Sequence, residues 1–203
     1  MLSAEARVVV LDGGAISAKW LSLHSGFPGM TGANELAIGR AAITWQPANP
    51  YRKASNAIGI TVGSGLLVAW IGMWDAATGG SFQGTTPLRG HPLEFYAVDA
   101  TDRIHIPGGH PHTDGSRVVF FGGTPPTPLV EGTIYVTRDA AADNLRVTDI
   151  AGGSPINITN AAATAAGCVI SAYAPLQVGT ASTVVTIDNV TLRLVRNSPP
   201  VWS

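Results

Sequence analysis

Charge is what this sequence has least of. Asp, Glu, Lys and Arg make up 12% of its 203 residues, against about 25% in an ordinary soluble domain. Much of the surface must therefore be built from Gly, Ser, Thr, Asn and Pro. Two explanations of such a surface stand side by side: neighbours in an assembly cover it, or it belongs to a protein of short strands and many turns. Neither sign of charge dominates, with 12 Lys+Arg against 13 Asp+Glu and a net charge of -1. The basic footprint of a nucleic-acid or anionic-membrane binder is missing, and no nucleic acid partner is expected. The single cysteine, Cys168, excludes a disulfide within the chain. Set in Gly167-Cys168-Val169-Ile170, it reads as a small buried hydrophobe. No run approaches the roughly 20 apolar residues of a membrane-spanning helix. The opening Met1-Leu2-Ser3-Ala4-Glu5 puts an acid where a signal peptide carries positive charge. The expectation is a soluble protein made in the cytoplasm of the producing cell, with no membrane insertion.

What the sequence has is 45% hydrophobic residues in short runs punctuated by turn formers. One short N-terminal helix is expected, with Ser3 as N-cap, Ala4 and Glu5 in its first turn, and Gly13-Gly14 stopping it after Leu11. From Lys19 to Ser25 the period becomes that of a half-buried strand, with Trp20 or the opposite register facing inward. Further strands are expected at residues 41–45, 57–62, 66–74, 93–98, 103–106, 117–121, 132–138, 144–148, 156–159, 167–173 and 182–195. Each is bounded by Gly, Pro, Asn or Ser, and the spacing near ten residues is that of an all-β protein. Residues 85–92 hold two prolines, a glycine and no periodicity, and read as a connection between modules.

Three stretches resemble a known family. Residues Leu21-Ser22-Leu23-His24-Ser25-Gly26-Phe27-Pro28-Gly29-Met30-Thr31-Gly32-Ala33-Asn34-Glu35 are similar to the LSLHT-xDPG-xTGANE signature of actinobacteriophage minor tail or tail fibre proteins. Arg40-Ala41-Ala42-Ile43-Thr44-Trp45 matches the strand that follows there. Ile71-Gly72-Met73-Trp74-Asp75-Ala76-Ala77-Thr78-Gly79-Gly80-Ser81-Phe82 is similar to the family's HVGLWDAATGGTFLG. The likeness runs through residues 2 to 84 in the same order. Phe27 departs from it, standing where the family usually has Asp, which weakens any cation-binding role for that turn. Physically, these words read as scaffold. Pro28-Gly29 and Thr31-Gly32 make turns, Asn34 and Glu35 can satisfy loop amides, and Asp75 with Thr78-Gly79-Gly80 closes a hairpin between Trp74 and Phe82.

Residues 98–172 resemble, more loosely, a small β module of phage tail and fibre proteins. The likeness is carried by Asp114-Gly115-Ser116-Arg117-Val118-Val119-Phe120, Gly132-Thr133-Ile134-Tyr135-Val136, Asp143-Asn144-Leu145-Arg146-Val147-Thr148 and Gly152-Gly153-Ser154-Pro155-Ile156-Asn157-Ile158-Thr159. The run Thr183-Val184-Val185-Thr186-Ile187-Asp188-Asn189-Val190-Thr191-Leu192-Arg193-Leu194 looks like the closing strand of shorter relatives. The resemblance thus implies an all-β fold with two domains. Residues 1–92 with 173–203 would form a discontinuous antiparallel β-sandwich-like domain, and residues 93–172 an inserted small β domain.

For chemistry, three histidines and an aspartate within ten positions, His105, His110, His112 and Asp114, pose the question of a metal site. His105 belongs to a strand, and His110 and His112 flank a proline; without a second cluster a solvated turn is the simpler reading, and no metal or other cofactor is assigned. Asp99, Asp102, Asp139, Asp143 and Asp149 border turns, where Asp is common, and do not present the facing pair that glycan cleavage needs. No Gly-Xaa-Ser-Xaa-Gly elbow occurs, and no catalytic residue is assigned. Of the tryptophans, Trp20, Trp45, Trp70 and Trp74 fall in strand runs and read as core. Trp202, after Pro199-Pro200, is expected to contact a neighbouring subunit. What the resemblance implies is a non-enzymatic structural component of a bacteriophage virion, of the minor tail or tail fibre type. Its partners would be copies of itself, with a trimer favoured, and other virion proteins. Capsid decoration and recognition of a host cell-wall glycan are the alternatives.

Overall fold

The computed structural model describes residues 17–47, 52–159, 168–188, 190–193 and 201–202. The expected helix near Ser3 lies outside them. The regular secondary structure described is almost entirely antiparallel β-strand joined by turns, and the chain divides into two compact units, residues 1–88 with 175–203 and residues 89–174. The breaks fall a few residues from those expected, at Leu88/Arg89 and Ala174/Pro175.

In the first unit, β1 (Trp20–His24) and β6 (Trp70–Trp74) form the centre of a four-stranded sheet. β2 (Ala41–Ala42) flanks β1, and β7 (Phe82–Pro87) flanks β6. Leu21 lies opposite Met73 and Leu23 opposite Ile71, so alternation sends these four side chains to one face. That face packs on Ile58, Ile60 and Val62 of β4 (Ile58–Val62) and on Val185 and Ile187 of β16 (Thr183–Ile187), giving a sandwich-like core. Leu21 and Leu23, not Trp20, face this core. β5 (Leu67–Val68) pairs with β15 (Leu176–Gln177). β3 (Arg52–Ala54), β17 (Thr191–Arg193) and β18 (Val201–Trp202) make a small sheet. The segment expected to dock Trp202 on a neighbour is therefore, by its backbone, an edge strand of its own unit. The expected connection at residues 85–92 also needs correction, because Thr85, Thr86 and Pro87 end strand β7. Pro87 is tolerated there because β7 lies at the sheet edge.

The second unit is one seven-stranded sheet. Its members are β8 (Leu93–Glu94), β9 (Tyr96–Val98), β10 (Arg103–His105), β11 (Arg117–Phe121), β12 (Ile134–Arg138), β13 (Asn144–Thr148) and β14 (Val169–Ala172). The spatial order is β8-β14-β11-β12-β13-β10-β9. The first and last strands of that order are separated in the chain by Phe95 alone, so the sheet must curl until its ends meet, as a small barrel does. Phe95 is buried at the kink, among Ile104, Ile106, Val118, Phe120, Leu145 and Ile170. A 3₁₀ turn, Asp99–Thr101, joins β9 to β10. The expected strand at residues 156–159 forms no ladder. Ile158 is buried and its N–H donates to Asp102 Oδ1 at 2.9 Å, so a side chain supplies the acceptor that a neighbouring strand would have.

Candidate functional site

The face of β1 and β6 turned away from the core carries Ser22, His24, Trp70, Gly72 and Trp74. Such a face would ordinarily meet water. Here Ser22 and His24 are at most 1% exposed. The polar groups form one directed chain: Trp74 Nε1–H donates to Ser22 Oγ at 2.8 Å, and Ser22 Oγ lies 2.7 Å from His24 Nε2. His24 Nδ1 lies 2.7 Å from the Ala33 carbonyl oxygen. Because a carbonyl only accepts, Nδ1 carries the proton and Nε2 accepts from the serine. Burial pushes the His24 pKa below its ordinary value, against the opposing pull of the Ala33 carbonyl and Glu35, so the ring is neutral at pH 7.

Glycines make this packing feasible. A Cβ on Gly72 would run into His24 Nε2, and one on Gly32 would run into the Trp74 ring. Gly32 also sits at φ +75°, a conformation open mainly to glycine. The rings of Phe82 and Phe27 pack on Trp74 and Trp70, each at a centroid distance of 5.0 Å.

Arg40 locks the cover in place. Its Nε and Nη2 donate to the two oxygens of Glu35 at 2.7 and 2.8 Å. Its Nη1 donates to the carbonyls of Ala76 and Gly79 at 2.9 and 2.7 Å. The guanidinium lies 3.5 Å from the Trp74 ring centroid, a cation–π contact. Glu35 thus serves Arg40, where the sequence suggested loop amides. Asn34 donates to the Phe27 carbonyl at 2.9 Å, and Asp75 Oδ1 accepts the Ser81 N–H at 2.7 Å, closing the β6–β7 hairpin as expected.

Ser22 and His24 have the distance of a nucleophile and its base. Their surroundings give them no such use. The serine oxygen already accepts the Trp74 N–H, both residues are sealed, and no space exists beside Gly72 for a reacting atom. The pair holds shape.

The histidine group of the second unit is dispersed. His105 stacks on Tyr96 at 5.0 Å with an 8° interplanar angle. Asp114 Oδ1 accepts the Ala140 N–H at 2.8 Å. His110 lies 3.2 Å from the Asn144 carbonyl through Nε2 and accepts the His112 backbone N–H through Nδ1 at 3.2 Å, so both its nitrogens are engaged. His112 is 7% exposed, with its Nε2 buried and without a hydrogen-bond partner. Burial, helped by His110, pushes its pKa down to about 4. Among the described residues no three His, Cys, Asp or Glu side chains gather as a metal would require. Cys168 is buried in the barrel core, which pushes its thiol pKa up to about 12.

Sequence reasoning missed the Arg40 lock, because its carbonyl acceptors lie 36 and 39 positions away. It also missed the grouping of Arg103, Arg138 and Arg146, which only strand register brings together. Comparison with sequence profiles of protein families, with curated proteins and with solved structures finds no match to the chain.

Proposed function

We propose that the chain is a structural component of a tailed-bacteriophage particle, of the minor tail or fibre type, acting through protein–protein contacts. The observation that supports this reading is the sealed network itself. Ser22, His24, Ala33, Glu35, Arg40 and Trp74 come from the three stretches that carry the resemblance, and they meet in one buried arrangement with no room for a substrate. Residues that only hold shape suit a particle component. A surface poor in charge that also exposes Met30, Val130, Ile150 and Val184 suits association with copies of itself, a trimer by resemblance, and with other particle proteins. The test is immunogold electron microscopy of purified particles made from the genome that encodes the chain. Label on the tail is expected. Label on the capsid surface would replace the tail assignment with capsid decoration, and unlabelled particles would overturn the proposal.

A further inference from the structure

The outer face of the second unit carries a row of like charges. The register sets Arg138 of β12 directly opposite Arg146 of β13. On the other side of β13, Ile104 lies opposite Leu145, which puts Arg103 of β10 opposite Arg146. Ile104, Leu145 and Tyr135 point into the core, so the alternating arginines point outward. With strands about 4.8 Å apart, the row spans about 10 Å.

Like charges directly opposite one another weaken a sheet, and a chain with only 12 Lys+Arg has little reason to concentrate three of them. One acid answers the row. Asp139 Oδ2 lies 3.3 Å from Arg146 Nη1, and its Oδ1 lies 3.7 Å from Arg138 Nε. The remaining bonds go to neutral acceptors. Arg146 Nε donates to the Thr101 carbonyl at 3.1 Å, Arg138 Nη1 to the Gly153 carbonyl, and Arg103 Nη1 to the Asp139 carbonyl and Asn144 Oδ1. Each guanidinium is thus anchored through Nε or Nη1, and the Nη2 of all three has no acceptor among the described residues. The side chains remain partly open to solvent, 43% for Arg138 and 31% for Arg146. Anchored guanidiniums with free donor edges are preorganised for oxyanions, because little side-chain entropy is left to lose.

Two positions along the same strands, Tyr96 and His105 face each other in register and stack. Tyr96 is 49% exposed, and Asn144 lies opposite His105 on the same face. A half-exposed aromatic ring beside a row of arginines suits a sugar ring bearing an anionic group.

We propose that this outer face binds an acidic glycan, with its carboxylate or phosphate groups on Arg103, Arg138 and Arg146 and a sugar ring against Tyr96. A nucleic-acid strand fits less well. Asp99, Asp139 and Asp143 border the short row, and a strand of phosphates would meet their repulsion with few donors to offer them. A glycan's hydroxyls can donate to those carboxylates. This inference stands on the second unit alone and is independent of the particle assignment.

The test is calorimetric titration of the full chain with oligogalacturonate, phosphorylated dextran, unmodified dextran and oligo(dT). One of the two charged glycans should bind in a salt-sensitive manner, and which one does identifies the anionic group. Unmodified dextran and oligo(dT) should bind at least about tenfold more weakly. Arg103→Gln, Arg146→Gln and Tyr96→Ala should each weaken binding by about tenfold or more, while Arg117→Gln, an exposed arginine outside the row, should leave it unchanged. Melting midpoints identify any variant that fails to fold, and the remaining two then decide. Failure of both charged glycans to bind, equal loss with Arg117→Gln, or tightest binding of oligo(dT) would overturn the proposal.

Discussion

Replacing Arg40 by Ala tests the packing of the first unit most directly. The Arg40 side chain is 7% exposed and that of Glu35 is 26% exposed. Removing one partner of a buried ion pair costs about 3–5 kcal/mol. Glu35 can regain some hydration, which pulls the cost toward the lower end, while loss of the stack on Trp74 adds roughly 1 kcal/mol. A destabilisation of about 3–4 kcal/mol is expected, or a fall of roughly 1.5–2 M in the urea midpoint for a slope near 2 kcal/mol/M. Tryptophan fluorescence is the right probe, because Trp20, Trp45, Trp70, Trp74 and Trp202 all belong to the first unit. Its transition therefore reports that unit even if the two units unfold separately. Arg40→Lys keeps the charge but not the planar fork, and should recover less than half of the loss. In a double-mutant cycle with Glu35→Gln, the coupling should exceed about 1.5 kcal/mol. A midpoint shift below about 0.3 M, or a coupling indistinguishable from zero, would refute the view that Arg40 holds the cover on the sheet.

Two further outcomes follow from the geometry. Gly72→Ala puts a methyl where His24 Nε2, Ser22 Oγ and the Phe82 ring already lie, and should destabilise the first unit by about 1–3 kcal/mol; an unchanged fluorescence melt would show that the sheet face is looser than described. The His112 pKa is pushed down to about 4 from the ordinary 6.5, so the unfolded chain takes up this proton first as pH falls. The associated stability is complete above pH 6.5 and is lost as the pH drops through the folded value, with His24 shifted in the same direction. Carbon-detected or proton NMR titration should find the His112 ring changing state near pH 4, and a midpoint above 6 would contradict the burial of Nε2.

How much of this was legible in the sequence differs from strand to strand. Alternation marks β13 well, because Leu145 and Val147 face a single core while Asn144, Arg146 and Thr148 lie on the other side; β11 and β12, apolar on much of both faces, are marked by the turns that bound them. The register of β1 was not legible, because both of its faces are covered: Leu21 and Leu23 by the core, Ser22 and His24 by the loop that Arg40 holds. β7 was hidden by Pro87 and by a run of Thr and Gly whose pairing comes from the β6 hairpin. The arginine row was invisible for a different reason. Residues 103, 138 and 146 become neighbours only through the registers of three strands, and no local pattern encodes those.

The discontinuity of the first unit also governs the order in which the molecule can be made. During synthesis, β4 and β5 emerge long before β16 and β15, which supply their pairing partners. Every strand of the barrel emerges in between, including β14, whose pairing with β8 closes it. Domains usually complete in the order of synthesis. Here the later unit can finish first, while the earlier one waits with unpaired strand edges of the kind that template aggregation. A pause or truncation after the barrel would leave a half-built sandwich exposed beside a finished domain, and whatever protects that intermediate must act on the nascent chain.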